Sequence, residues 1–137
     1  MCEYCNLGHL LAEYESTDLR GLAKILATHA ISHLGVTAAD ILIYDVITQK
    51  LVNAGGGGFR ARSPEGAIWR VEETPAGSAI VDHEIVRVPN LGRIKSKFPR
   101  VEEMIADGLI TYIAAPLILR GQVKGILEVF SRDNLNP

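Results

Sequence analysis

From residue 16 onward the apolar positions of this chain recur first at helical and then at strand spacing. Leu19, Leu22, Ala23, Leu26, Ala30 and Leu34 fall on one narrow, heptad-like stripe, the signature of an amphipathic helix. Ser16, Thr17 and Asp18 offer capping oxygens ahead of it, and Gly35 is a natural stop. A shorter helix is expected before it, where Leu7, Leu10, Leu11 and Tyr14 share a face. Residues 40–46 (DILIYDV) form a β-branched strand, and 47–50 make the turn into a second strand at 51–54. The glycines at 55–58 end that strand and permit a bulge or flexible loop. Residues 68–71 read as a third strand. Thr74 can cap a helix with Pro75 at its first position, running to about His83. A short strand at 86–88 ends at Pro89, and 95–107 is a helix stopped by Gly108.

Residues 109–132 (LITYIAAPLILRGQVKGILEVFSR) are two apolar strands joined at Arg120 and Gly121. Gly121 sits where a two-residue hairpin needs a positive φ. After the turn, Val123, Gly125, Leu127 and Val129 alternate with Gln122, Lys124, Ile126 and Glu128. That pattern predicts a half-buried strand with one face mostly wet. Helices, a strand meander and a closing hairpin predict an α+β fold: a central antiparallel β-sheet flanked by helices, with an N-terminal helix. No internal repeat or low-complexity linker interrupts it.

Composition adds bounds rather than identity. A chain of 137 residues fits one domain with a single core. Hydrophobic residues at 47% and charged residues at 22% argue against a disordered chain. A formal charge of −2 gives no electrostatic reason to expect nucleic acid or an anionic membrane as partner. No apolar run approaches the ~20 residues that a spanning helix needs. The opening MCEYCNLGH lacks the basic and apolar parts of a secretory signal. Two cysteines do not make a disulfide framework, and a reducing cytoplasm is the simplest compartment.

The chemical motifs are incomplete. Cys2, Cys5 and His9 could supply three zinc ligands, but no second CxxC or paired histidine completes the set. His29 and His33 lie one helical turn apart without an accompanying carboxylate motif, so a packed or solvated pair is expected. The glycine run at 55–58 continues as Phe59, Arg60, Ala61 and Arg62, with neither the Lys-Ser of a phosphate loop nor a spaced GxGxxG. No Ser-His-Asp set or readable carboxylate pair stands out. No catalytic residue, metal or cofactor is expected.

The hairpin wording resembles the GAF domain family. It carries Ala114-Ala115-Pro116-Leu117 followed by Arg120-Gly121-Gln122-Val123-Lys124-Gly125, close to the family's closing hairpin. Ala79-Ile80-Val81 and Val86-Arg87-Val88-Pro89-Asn90-Leu91 look like its helix and short following strand, and Gly58-Phe59 like the end of its second strand. The resemblance covers roughly residues 17 to 135. It implies helices on one face of the sheet and, where a ligand binds, a pocket on the other. It divides the chain into an N-terminal helical extension (1–15) and a GAF domain (16–137) whose last helix is missing or truncated. Mapped by the matched motifs, the pocket holds Trp69, Arg70, Ala76, Gly77, Ser78, Asn90, Phe98, Thr111 and Tyr112. A helix N-terminus at residues 75–78 would favour an anionic or carbonyl ligand, and Trp69 and Tyr112 could stack on a planar ring.

The implied role is a non-catalytic sensory domain of a bacterial signalling protein. It would bind an unknown small molecule, form a homodimer through the N-terminal helix, and control a histidine kinase, a diguanylate cyclase or phosphodiesterase, or a transcription activator. Departures narrow this. Ser131-Arg132 replaces the Asn-Lys pair of cyclic-nucleotide-binding members, no pocket cysteine is present for a bilin, and Asn90 replaces an acid. Two alternatives stay open: an enzyme of the free methionine sulfoxide reductase type, which would need pocket cysteines, and a ligand-free dimerisation module.

Overall fold

Helix α1 is described over Ser16–Leu34 and ends where Gly35 turns left-handed at φ 65°. Its buried face is made of small side chains, Ala23, Ala27 and Ala30, with Leu26 and Ile31 partly buried beside them. Alanines at this spacing let the helix lie close on the sheet. Leu34, expected on the buried stripe, is instead 44% exposed. The computed structural model describes residues 16–60 and 65–133, so the helix expected around Leu7–Tyr14 and the Cys2, Cys5, His9 group lie outside the described residues.

Strands β1 (Ala38–Asp45), β2 (Lys50–Gly57), β3 (Ile68–Arg70), β4 (Val86–Val88), β5 (Thr111–Leu119) and β6 (Gln122–Ser131) form one sheet in the order β3-β2-β1-β6-β5-β4. Every neighbouring pair is antiparallel. The fold is therefore the predicted α+β class. Strand β2 runs through three of the four glycines instead of ending before them. A Cβ on Gly56 would fall well inside contact distance of the Ala39 carbonyl oxygen, so glycine lets β1 and β2 approach there. The expected bulge exists, between Asn53 and Gly55 opposite Ile41 and Leu42. The β5–β6 hairpin closes on Arg120 at φ 53° and Gly121 at φ 77°, the double positive φ of a two-residue turn.

Both faces of the sheet are covered. Ala39 and Ile41 pack with Leu127 and Val129 against α1. On the other face Leu42, Ile126, Phe130 and Tyr112 pack beneath helices α2 (Gly77–Asp82) and α3 (Pro99–Ala106). Strand β6 is central, so from Gly125 onward every residue is buried, and the face expected to be wet is a second core face. Helix α3 starts at Pro99 rather than residue 95, because proline holds Phe98 extended at φ −135° and ψ 126°. Residues 95–97 form a turn instead, following a 3-10 helix at Leu91–Ile94.

Candidate ligand-binding site

The second core face contains a buried group of charges. Asp40 on β1 and Glu128 on β6 are directly opposite in the strand register, and both are fully buried. Like charges so placed repel one another. Arg100 sits in the first turn of α3, where a cation opposes the helix dipole, and its side chain reaches down to the sheet between them. Its guanidinium grips Glu128 as a fork, Nη1 to Oε2 and Nη2 to Oε1, both at 2.6 Å. Nη1 also donates to Thr74 Oγ1 at 3.0 Å, and Nη2 approaches Asp40 Oδ2 at 3.4 Å. The Tyr112 hydroxyl donates to Glu128 Oε2. Asn53, aimed inward at the β2 bulge, donates its Nδ2 to Asp40 Oδ2 at 2.9 Å while its own Oδ1 accepts from the Gly55 N–H at 2.8 Å.

These contacts divide the two acids. Burial alone would raise Glu128, but the charge of Arg100 and its two hydrogen bonds outweigh burial and hold the carboxylate below its ordinary range. Asp40 goes the other way: burial first, then the Glu128 charge, push its carboxyl well above the usual value. Burial and the same Glu128 charge raise the Tyr112 hydroxyl. Asp40 Oδ1 accepts no hydrogen bond from any described group. Protonated, Asp40 can donate to Glu128 across the register, a hydrogen bond that raises Asp40 and lowers Glu128. Buried acids with shifted values gather at functional sites.

Above this group lies a cavity of about 590 Å³, within the range of small-molecule pockets. Asp40 and Arg100 form its floor, and Phe59, Trp69, Met104, Leu109 and Phe130 its apolar walls. The Trp69 ring centroid lies 5.8 Å from the Arg100 guanidinium carbon, a cation–π contact. The rim is clasped by Asp107 at the end of α3. Its carboxylate accepts from the Arg60 backbone N–H at 3.0 and 3.2 Å and pairs with Arg132, whose Nη2 also reaches the Gly58 carbonyl at 3.2 Å. This clasp ties the segment after β2 to α3 and to the end of β6.

Of the residues the resemblance singled out, Trp69 lines the cavity and Tyr112 belongs to the charge group beneath it. Arg70 and Ser78 are exposed, and Ala76 is packed in the core. Gly77 is buried so close under Val71 that a Cβ would meet its carbonyl. Asn90 is exposed and accepts from the Gly92 N–H at 2.9 Å, capping the 3-10 turn. Phe98 packs against the core, and Thr111 donates to the Pro89 carbonyl at 3.1 Å. None of these seven is among the cavity-lining residues. Asp40, Arg100 and Glu128 were not singled out. Their one sequence signal is a lone charge inside or beside an apolar run, as in Ile126-Leu127-Glu128-Val129-Phe130. Among the described residues no group of three His, Cys, Asp or Glu side chains converges as a metal site, and no helix is long and apolar enough to cross a membrane.

The family model of the GAF domain matches residues 18–137, and the chain belongs to that family. No curated protein matches it. Among solved structures, the GAF domain from an Acinetobacter phosphoenolpyruvate-protein phosphotransferase superposes with TM-score 0.70 at 16% identity, over 99% of this chain and 81% of that one. A methyl-accepting chemotaxis protein (its residues 122 to 287) gives 0.68 at 16%, over 94% and 82%. A type II free methionine-R-sulfoxide reductase from Thermoplasma acidophilum gives 0.65 at 11%, over 87% and 78%. At these identities the likeness is one of fold.

Proposed function

We propose that this GAF domain is a non-catalytic sensory module that takes a small molecule into the cavity above Asp40 and Arg100 and controls an output domain in the same protein. The observation carrying this reading is the cavity itself: apolar walls with a few convergent polar groups at the floor, one of them the buried acid Asp40. Fold neighbours from signalling proteins, such as the chemotaxis protein, agree with it. The module works in a reducing cytoplasm, and its output is a histidine kinase, a cyclic-di-GMP enzyme or a transcription activator.

The route for the signal is short. Asp40 faces the cavity, while its neighbours Ala39 and Ile41 on the same strand face α1. A ligand that prefers one setting of Asp40 and Arg100 biases how β1 carries α1. Copies pair through the N-terminal helical region, and exposed Ile25 and Leu34 on α1 support that pairing. The competing enzymatic reading gains nothing from the cavity wall, which holds no thiol among the described residues. Sulfoxide reduction would have to draw on Cys2 or Cys5, outside the described residues.

A thermal-shift screen of nucleotides, amino acids, carboxylates and amines tests the proposal. At least one compound is expected to stabilise the wild-type chain and to bind Trp69→Ala at least tenfold more weakly, about 1.4 kcal/mol. A screen in which nothing raises the melting temperature, or in which binding ignores Trp69, would remove the sensory reading.

A further inference from the structure

Resting on that ligand-binding reading, the geometry points to an organic cation as the ligand: an aromatic or apolar body carrying an ammonium or amidinium group that docks on Asp40. Among the described residues the floor offers no spare positive charge. Both terminal nitrogens of Arg100 are committed, Nη1 to Glu128 and Thr74 and Nη2 to Glu128 and Asp40. An anion would have to dismantle the fork to reach them. Arg60, the other cation among the described lining residues, is exposed at the rim. The unmet demand is on the acidic side. Asp40 is 0% exposed, lines the cavity, and has an Oδ1 that accepts no hydrogen bond from any described group. An N–H donor from a ligand would hydrogen-bond that oxygen, and its charge would stabilise Asp40 in its ionised form beside Glu128. Trp69, Phe59 and Phe130 supply aromatic faces that attract a cation and accept a flat body.

Proton uptake follows from the same geometry. Asp40 is faced by Glu128 from β6, Arg100 from α3, Asn53 from β2 and, through Glu128, Tyr112 from β5. Burial and Glu128 favour a proton on the empty site's Asp40. A cation arriving there takes the place of that proton, so binding releases it and weakens as the pH falls.

Three probes sharing one body test this on the full chain: tryptamine (cation), 3-methylindole (neutral) and indole-3-acetate (anion), titrated to millimolar concentration by ligand-observed NMR and calorimetry. Tryptamine is expected to bind at least tenfold more tightly than indole-3-acetate at pH 8. It should release protons, shown by the buffer dependence of the heat, and lose affinity between pH 8 and pH 5 while its own charge stays constant. In Asp40→Asn, whose heteronuclear NMR spectrum reports whether the fold is kept, the preference should shrink to threefold or less. Indole-3-acetate binding as tightly as tryptamine, in a Trp69-dependent manner, would overturn the cation assignment and leave the sensory reading standing. Tryptamine binding without proton release would overturn it equally. Failure of all three probes to bind would overturn it and count against the cavity as a ligand site.

Discussion

Arg100→Met is expected to cost the domain about 3–5 kcal/mol, the usual penalty for removing one partner of a buried ion pair. The loss is large because Glu128 would keep its buried charge without its counter-ion, leaving the Tyr112 hydroxyl and the Asp40 carboxyl across the β1–β6 register as neutral partners. Thr74 would lose its donor as well. Set against a total stability of roughly 5–15 kcal/mol for a single domain, that loss leaves a marginal or unfolded chain. Arg100→Lys is expected to recover little, since one ammonium cannot make two parallel hydrogen bonds to Glu128. Urea denaturation at pH 7 measures both. A loss below about 1 kcal/mol for Arg100→Met, the scale of an exposed ion pair, would mean that water reaches the group and that it is not buried as described.

Asp40→Asn is expected to act in the opposite direction, raising stability at pH 8 by about 1–3 kcal/mol, the scale of a buried unsatisfied polar group. The amide has nearly the same shape. Its oxygen can accept from Asn53, and its NH2 can donate toward Glu128. The pH dependence fixes the sign. The folded-state pKa of Asp40 lies above its ordinary value of 3.8, so the folded chain binds more protons than the unfolded chain in the window between them. Stability from this group is complete below that ordinary value and is lost as pH rises through the folded one. The asparagine variant lacks the loss, so the gap between variant and wild type should open from near zero at acidic pH toward alkaline pH. Glu128 contributes oppositely: its lowered value means stability present above its ordinary 4.5 and lost as pH falls. A gap independent of pH, or a destabilised variant at pH 8, would contradict the assignment. A chain that keeps an acid where an amide would be more stable gives up stability for something else, as binding sites commonly do.

Periodicity made the framework legible. The bounds of β4, the stop of α1 and the two-residue hairpin turn follow from local signals that tertiary contacts do not override. Where reading and structure part, a non-local contact is the cause. The glycines after Ala54 read as a strand end, yet β2 continues because its partner β1 needs their missing side chains. Glu128 read as the wet face of β6, yet β6 is a central strand roofed by α2 and α3. An alternating pattern cannot distinguish a solvated acid from one met by an arginine 28 residues away, as Arg100 meets Glu128. The site shared that fate. Trp69 and Tyr112 were visible as aromatic residues with a polar handle, but Asp40, Arg100 and Glu128 acquire their meaning only from strand register.

The division of labour between the two buried acids can be read directly by a carbon-13 NMR titration of the Asp40 and Glu128 carboxyl carbons. Such a pair titrates as a unit, so the shifts of both carbons are followed together. Asp40 should still carry its proton well above pH 3.8 while Glu128 is already ionised beside Arg100. Two carboxyls losing their protons together in the ordinary acidic range, or Glu128 as the member that keeps its proton, would contradict a floor built around one paired and one waiting acid.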